Sequence, residues 1–187
     1  MAKSTIDVIN KSLILLGANI ITDLSEGSEE STYAASLWDG VRQACLRIHP
    51  WNFALKEIEL PAVSGGSDFK HQYQYNLPAD FIRLITVYDD GGFKIKGKSI
   101  YSNRDSCKIR YIYDNTDVAS WDVSFSNVVA YKLASELAYP ITKSASLMDA
   151  MTQQFARHLI EAKAIDGSED IEDPIAPHDN AFIGVRF

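Results

Sequence analysis

The spacing of apolar and polar positions changes twice along this chain. Up to residue 52, apolar residues recur every three or four positions, which is typical of amphipathic helices. From residue 53 to 117 they alternate, as in strands, and the helical spacing then returns. The pattern predicts an α+β fold: a four-helix bundle with an inserted small antiparallel β domain and an extended C-terminal arm.

The predicted domain boundaries lie where the spacing changes. Residues 1–52 and 118–166 form the helical bundle, residues 53–117 form the inserted β domain, and residues 167–187 form the arm. The inserted segment contains about six short strands, enough for a small antiparallel sandwich or barrel. One of its pairs is a hairpin of residues 93–96 and 99–102 around a glycine turn.

The second helix of the bundle has the most detailed prediction. Ser28 can cap it, and Arg42 and Arg47 fall near its polar side. Gly40 in its middle costs about 1 kcal/mol relative to alanine, and a close helix crossing would explain it. The predicted apolar stripe comprises Tyr33, Leu37, Val41, Ala44, Cys45 and Ile48.

This helix is predicted to end at a corner that anchors the strands to the helices. Pro50 lacks a backbone N–H and disfavours helical structure at His49. Trp51 and Phe53 place two large rings on one face if the chain continues as a strand. Core packing is the expected role of both rings. A tryptophan-lined ligand pocket is the alternative, but no neighbouring polar groups would complete it.

The last two helices are predicted to differ in their apolar surface. The third is apolar over a wide arc, as in the centre of a bundle, and Pro140 is expected to end it. Ser144 or Ser146 can cap the fourth helix, which Gly167 is expected to end. Its narrower apolar stripe comprises Met148, Met151, Phe155, Leu159 and Ala162.

Charge and composition exclude some classes of protein. The formal net charge is −7, which argues against non-specific nucleic-acid binding but suits a protein that lets DNA pass without holding it. No apolar run approaches the roughly 20 residues that span a bilayer. The N-terminus does not have the pattern of a signal peptide, so assembly in the cytoplasm is expected. Cys45 and Cys107 are expected to be buried small hydrophobes.

No segment has the spacing of a catalytic, metal-binding or nucleotide-binding motif. His158 lies beside an apolar stripe and is expected to pack there. Residues 166–172 alternate like a calcium loop, but Ile171 occupies the glycine position, so a solvated acidic linker is expected. Asp114 and Asp117 are interpreted as turn formers. We therefore expect no catalytic residue, cofactor or metal, unless spatial neighbours assemble a site.

Three blocks of sequence carry a resemblance to a known family. The first comprises LILLG at 13–17, ITDL at 21–24, residues 31–47 and HPWNFA at 49–54. The second is YNLPADFIRL at 75–84. The third comprises YIYDNTD at 111–117, Phe125, residues 130–138 and PIT at 140–142. In order and spacing they resemble the tail tubular protein A family, the head-to-tail adaptors of short-tailed bacteriophages. The resemblance covers roughly residues 5–166.

The resemblance implies a structural role in the virion. Its members form a homo-oligomeric ring of twelve copies in the tail or neck. That ring lies between the portal protein and the downstream tail (nozzle) protein, and DNA passes through its lumen without sequence-specific binding. It implies assembly in the host cytoplasm, no membrane contact, and no catalytic residues. The expected function is therefore a head-tail connector.

The C-terminal arm is the predicted partner-binding site. After an acidic and then proline-rich stretch, the chain ends in a segment too apolar for a purely solvated tail. We hypothesise that it binds the portal or a neighbouring subunit, so that deletion of residues 168–187 abolishes portal binding. A floppy tail is the alternative. The residues concerned are Phe182, Ile183, Val185, Arg186 and Phe187.

Three other functions stay open from the sequence. The chain could be another connector ring, either a stopper or a tail-completion protein. It could be a small enzyme with an unrecognised site. It could also be a regulatory nucleic-acid-binding protein if its basic residues gather on one face. Those residues are Arg42, Arg47, Lys94, Lys96, Lys98, Lys108 and Arg110.

Overall fold

The computed structural model describes residues 4–88 and 92–169, in which four helices and six strands are found. The described chain begins and ends with a pair of helices, and the strands lie between the pairs. In chain order the elements are α1 (Thr5–Leu15), α2 (Glu29–Ile48), β1 (Leu55–Glu59), β2 (Tyr73–Asn76), β3 (Phe81–Val87), β4 (Phe93–Lys96), β5 (Ser99–Ser102), β6 (Lys108–Tyr113), α3 (Val123–Thr142) and α4 (Ala145–Glu169).

Helix α3 lies at the centre of the helical layer. Helices α1, α2 and α4 each make their main helix contacts with α3 in the described part of the chain. Ten of the twenty residues of α3 are buried, because its sequence is apolar on nearly every side. Helix α4 instead packs along one stripe, where Met148, Phe155 and Leu159 contact the core.

The strands form two separate antiparallel sheets. The first sheet has the strand order β1-β6-β3 and the second has the order β2-β5-β4. In β6, Ile112 belongs to the helical core, whereas Ile109 and Tyr111 point the other way and pack with Tyr75 and Ile100 of the second sheet. The first sheet therefore lies between the helices and the second sheet.

The predicted four-helix bundle with an inserted β domain is wrong. The structure is a mixed α/β arrangement of four helices and two three-stranded antiparallel sheets. Leu55 and Ile112 of the first sheet share one hydrophobic core with Trp51 and Phe125, so the strands are built onto the helices and do not loop out from a bundle. The predicted domain boundaries stay predictions, and residues 170–187 of the predicted arm lie outside the described residues.

The corner after α2 confirms the predicted anchor but not its predicted geometry. Trp51 is fully buried, its indole N–H donates to the Cys45 carbonyl at 3.0 Å, and its ring lies 4.9 Å from that of Phe125. Residues 52–54 form a 3-10 turn and not a strand, so Trp51 and Phe53 are placed by a turn. Both rings pack in the core, as expected.

The predicted surface of α2 is partly wrong. Arg42 is buried, whereas Ala44 and Ile48, predicted to be internal, are exposed. The reason is that α2 packs on the first sheet as well as on α3, which shifts and widens its buried arc. No described atom lies within 4 Å of a Cβ placed on Gly40, so no close helix crossing explains this glycine. The residues that fill the buried arc are Ser31, Ala34, Trp38, Val41, Arg42, Cys45 and Leu46.

Two predicted helix ends are also wrong. Pro140 lies inside α3, which continues to Thr142. A proline in the last turn removes only one backbone hydrogen bond, and the left-handed Lys143 (φ 54°) then ends the helix. Gly167 lies inside α4, which continues to Glu169. The predicted hairpin is confirmed, with Gly97 at a positive φ in its turn.

Candidate functional site

The predicted site at the C-terminus lies outside the described residues. Phe182, Ile183, Val185, Arg186 and Phe187 all follow residue 169, and their role stays a prediction. The described residues offer other surfaces with the same kind of chemistry, namely large apolar side chains that face solvent. Among the elements that carry them are α1, α4 and β4.

The first apolar surface lies along α1. Asn10 bonds both backbone groups of Ile21, accepting from its N–H and donating to its C=O, each at 2.8 Å. These bonds hold Ile21 in the core and turn its neighbour Ile20 outwards. Ile14 and Ile20 are 64% and 61% exposed and line a shallow cavity of about 470 Å³. Contiguous apolar exposure of this kind is typical of an interface.

The second apolar surface is the outer side of α4. Ile160 is 72% exposed, although the neighbouring Leu159 packs on the core. Helix α4 buries only Ala162 and Asp166. A helix that packs through a single stripe leaves the opposite side available to a partner.

The third apolar surface is the edge strand β4. All four of its residues are exposed, with Phe93 and Ile95 each 43% exposed. Lys94 and Lys96 alternate with them, so the apolar and basic side chains leave opposite faces of the strand. Exposed edge strands are sites at which another strand can pair.

A polar cleft lies between α2 and the start of β3, with a volume of about 390 Å³. Asp114 accepts from Arg42 at 2.9 and 3.0 Å and from Gln43 at 2.8 Å. Burial opposes ionisation, but these hydrogen bonds and the Arg42 charge outweigh it and lower the pKa of Asp114. A carboxylate held in this way is a poor general base, because catalysis near neutrality needs a raised pKa.

Sequence reasoning missed this pair. It interpreted Asp114 as a turn former and placed Arg42 on the polar side of α2. The two residues lie 72 positions apart, and no local spacing indicates that they meet. The bond joins α2 to the first sheet, so its role in the described structure is positional.

A second polar contact joins α4 to the corner. Asp166 is 9% exposed, lies 3.0 Å from His49 Nε2, and accepts from the Asn52 N–H at 3.1 Å. The Asn52 side chain also donates to the Asp166 carbonyl at 3.0 Å. The interpretation of this stretch as a solvated linker is wrong at Asp166, which fixes the end of α4.

The basic residues of the nucleic-acid hypothesis do not gather on one face. Arg42 and Arg47 lie on α2, where Arg47 donates to the Ile82 carbonyl at 2.6 Å. Lys94 and Lys96 lie on the second sheet, and Lys96 is paired with Asp68. Such a dispersed set lacks the continuous positive surface on which phosphate binding depends.

The remaining reactive groups among the described residues are packed. Cys45 and Cys107 are buried as expected, and burial raises the pKa of Cys45 to about 12. His158 stacks on Tyr131 with ring centroids 4.3 Å apart. Across residues 4–88 and 92–169, no cluster of three His, Cys, Asp or Glu side chains could hold a metal ion. The helices in the same ranges include none that is long and apolar enough to cross a membrane.

Comparison with known proteins adds no relative. No protein-family model matches the sequence, and no curated protein matches it. The geometry of the described residues defines the candidate site as apolar binding surfaces on α1, α4 and β4.

Proposed function

We propose that this chain is a structural subunit of a head-tail connector, the adaptor ring between the portal and the tail of a tailed bacteriophage. Twelve copies surround the DNA channel, with the portal protein on one side and the nozzle protein on the other. The proposal combines the three sequence blocks with one geometric observation. That observation is the exposure of large apolar side chains on three separate elements.

The distribution of these side chains supports a subunit with several neighbours. Ile14 and Ile20 lie beside α1, Ile160 lies on α4, and Phe93 and Ile95 lie on β4. Helices α1 and α4 both pack on α3 but not extensively on each other, so their exposed sides are distinct. A subunit within a ring that is itself stacked between two other rings has neighbours on several sides, and each interface needs an apolar centre.

The charge distribution supports passage of DNA through the lumen. The chain carries 25 acidic and 18 basic residues. Several described basic side chains are bound to carboxylates, among them Arg42, Lys56 and Lys96. A lumen with this balance does not retain phosphate backbones, because tight binding requires unpaired lysines and arginines.

The direct test uses the portal protein encoded by the same genome. We expect the full chain to bind portal rings and to appear in electron micrographs as a twelvefold layer on one end. A chain that ends at Glu169 keeps all described helices and isolates the contribution of the arm. Portal binding by neither form would contradict the proposal, whereas binding by both would contradict only the role of the arm.

A further inference from the structure

Two edge strands of the structure have complementary patterns. Strand β1 lies at one edge of the first sheet, and β4 lies at one edge of the second. Each edge presents backbone N–H and C=O groups that no neighbouring strand of its own sheet pairs on that side. The two edges therefore have the same requirement for a partner strand.

The side chains of these strands have opposite charge. In β1, Glu57 and Glu59 leave one face and Ile58 leaves the other. In β4, Lys94 and Lys96 leave one face and Ile95 leaves the other. All of these residues are exposed in the single chain. Over residues 57–59 of β1 and 94–96 of β4, an isoleucine on one face is therefore flanked by two like charges on the other. Outside this stretch, Lys56 shares the face of Ile58, and Leu55 shares the face of the glutamates and packs on the helical core.

We propose that β1 of one copy pairs antiparallel with β4 of a second copy, so that two three-stranded sheets become one six-stranded sheet between subunits. In this register Ile58 lies opposite Ile95, Glu59 lies opposite Lys94, and Glu57 lies opposite Lys96. Opposite charges and apolar pairs directly across two strands stabilise the pairing. This inference rests on the proposed function in one respect: copies of the chain must lie next to each other, as they do in the proposed ring.

The surroundings of the two strands favour this pairing. Lys94 forms no ion pair with another described residue, and Glu59 accepts only one described hydrogen bond, at 3.2 Å from Ser106. Both are therefore available to a partner. Glu57 and Lys96 already have partners within the chain: Glu57 accepts from the Tyr88 hydroxyl at 2.6 Å, and Lys96 is paired with Asp68. The charge complementarity between copies therefore depends on Glu59 and Lys94. A shallow cavity of about 240 Å³ borders β1 and is lined partly by Ile58 and Ile109, which gives room for an apolar side chain of the incoming strand.

The charges also select the kind of assembly. If β1 paired with β1 of a second copy, Glu57 and Glu59 would meet like charges, and β4 with β4 would do the same with lysines. Pairing β1 with β4 is heterologous, because each copy offers one edge and receives the other. Heterologous contacts generate closed rings when the rotation between copies closes.

Charge reversal tests the proposed register. Glu59→Lys and Lys94→Glu should each weaken ring assembly about tenfold, because a favourable pair becomes a like-charge pair. A chain with both substitutions should assemble within about threefold of the wild type, since the pair is restored with its charges exchanged. Lys70→Glu, which makes the same charge change outside both strands, is the control. Assembly is measured by sedimentation, alone and on portal rings.

A covalent test does not depend on charge. A chain with Ile58→Cys and Ile95→Cys should form a ladder of disulfide-linked oligomers on oxidation, whereas either single cysteine variant should give no ladder. Circular dichroism checks that each variant keeps its helical content. The native Cys45 and Cys107 are buried and do not interfere.

The outcomes separate the two proposals. If rings form on the portal but the double cysteine chain gives no ladder, or the combined charge reversal is no better than the single ones, strand pairing is overturned and the adaptor function stands. If the wild-type chain forms no assembly alone or with the portal, both are overturned. Restored assembly together with a ladder would establish the pairing.

Discussion

Helices α3 and α4 are neighbours in sequence and pack on each other, yet they have opposite relations to the core. Ten of the twenty residues of α3 are buried, but only two of the twenty-five residues of α4 are. Helix α3 contacts every other described helix, whereas α4 packs extensively on α3 alone. The difference shows that α3 is the central helix of the fold. Helix α4 packs on α3 with one side and exposes its other side to solvent.

The residue types explain the difference. Ala130, Ala134 and Ala138 of α3 are all buried and have small side chains, which lets neighbouring helices approach closely. On α4 the stripe contains Met148 and Met151, whose flexible side chains fill gaps and tolerate displacement. Both properties would suit the proposed connector subunit, because a fixed core can hold its shape while the outer helix adapts to a partner.

The largest expected effect comes from truncating a leucine in each helix, which tests whether α3 contributes more to the core than α4. Leu133 of α3 is fully buried, and Leu159 of α4 is only partly buried. We expect Leu133→Ala to lower the free energy of unfolding by about 3 kcal/mol and Leu159→Ala by about 1–2 kcal/mol. Urea unfolding measures both. Equal costs would mean that α4 is as much a part of the core as α3.

A second prediction concerns the polar contact that fixes the end of α4. Asp166→Ala removes the acceptor for His49 and for the Asn52 N–H. We expect a loss of about 2 kcal/mol, because a partly buried donor is left without its partner. Hydrogen exchange should become faster in the second half of α4 and stay unchanged in α3. Asp149→Ala, at the exposed start of α4, is the control.

The sequence predicted local features well and distant contacts poorly. The helix start at Ser28, the hairpin strands and the stripe of α4 agree with the structure, because each depends on residues within one or two turns. The strand order β1-β6-β3 joins residues 22 to 57 positions apart, and the Arg42–Asp114 bond joins residues 72 positions apart. Periodicity contains no information about such pairs, and the fold class was wrong for this reason.

A third prediction concerns the pH dependence of the contact between Arg42 of α2 and Asp114, which follows β6. Because the pKa of Asp114 is lowered in the folded state, its contact with Arg42 stabilises the protein at neutral pH. That stability is fully present above the pKa of about 4 that an aspartate has in the unfolded chain. It is lost as the pH falls from there through the lower pKa of folded Asp114. At pH 7 we expect Asp114→Asn to cost about 1–2 kcal/mol, between the values for exposed and buried pairs.

The pH dependence of this variant is the critical measurement. Other carboxylates protonate in both proteins, so the quantity to follow is the difference in unfolding free energy between the wild type and Asp114→Asn. It should be constant above about pH 5 and shrink progressively as the pH falls below about 4. A constant difference would show that the ionised form of Asp114 makes no contribution.

The smallest expected effect is a change in the free energy of unfolding caused by a substitution at an exposed position of α2. Gly40 lies in α2 with no described atom within 4 Å of an added Cβ, so Gly40→Ala should stabilise the protein by up to about 1 kcal/mol. Gly17→Ala is a matched control of opposite sign, because Gly17 has φ +69° and alanine is strained there. If Gly40→Ala instead destabilised the isolated chain, the space around this position would be smaller than the structure shows. If it impaired only ring assembly, Gly40 would lie at a contact between copies, and α2, like α4, would have a side that a partner covers.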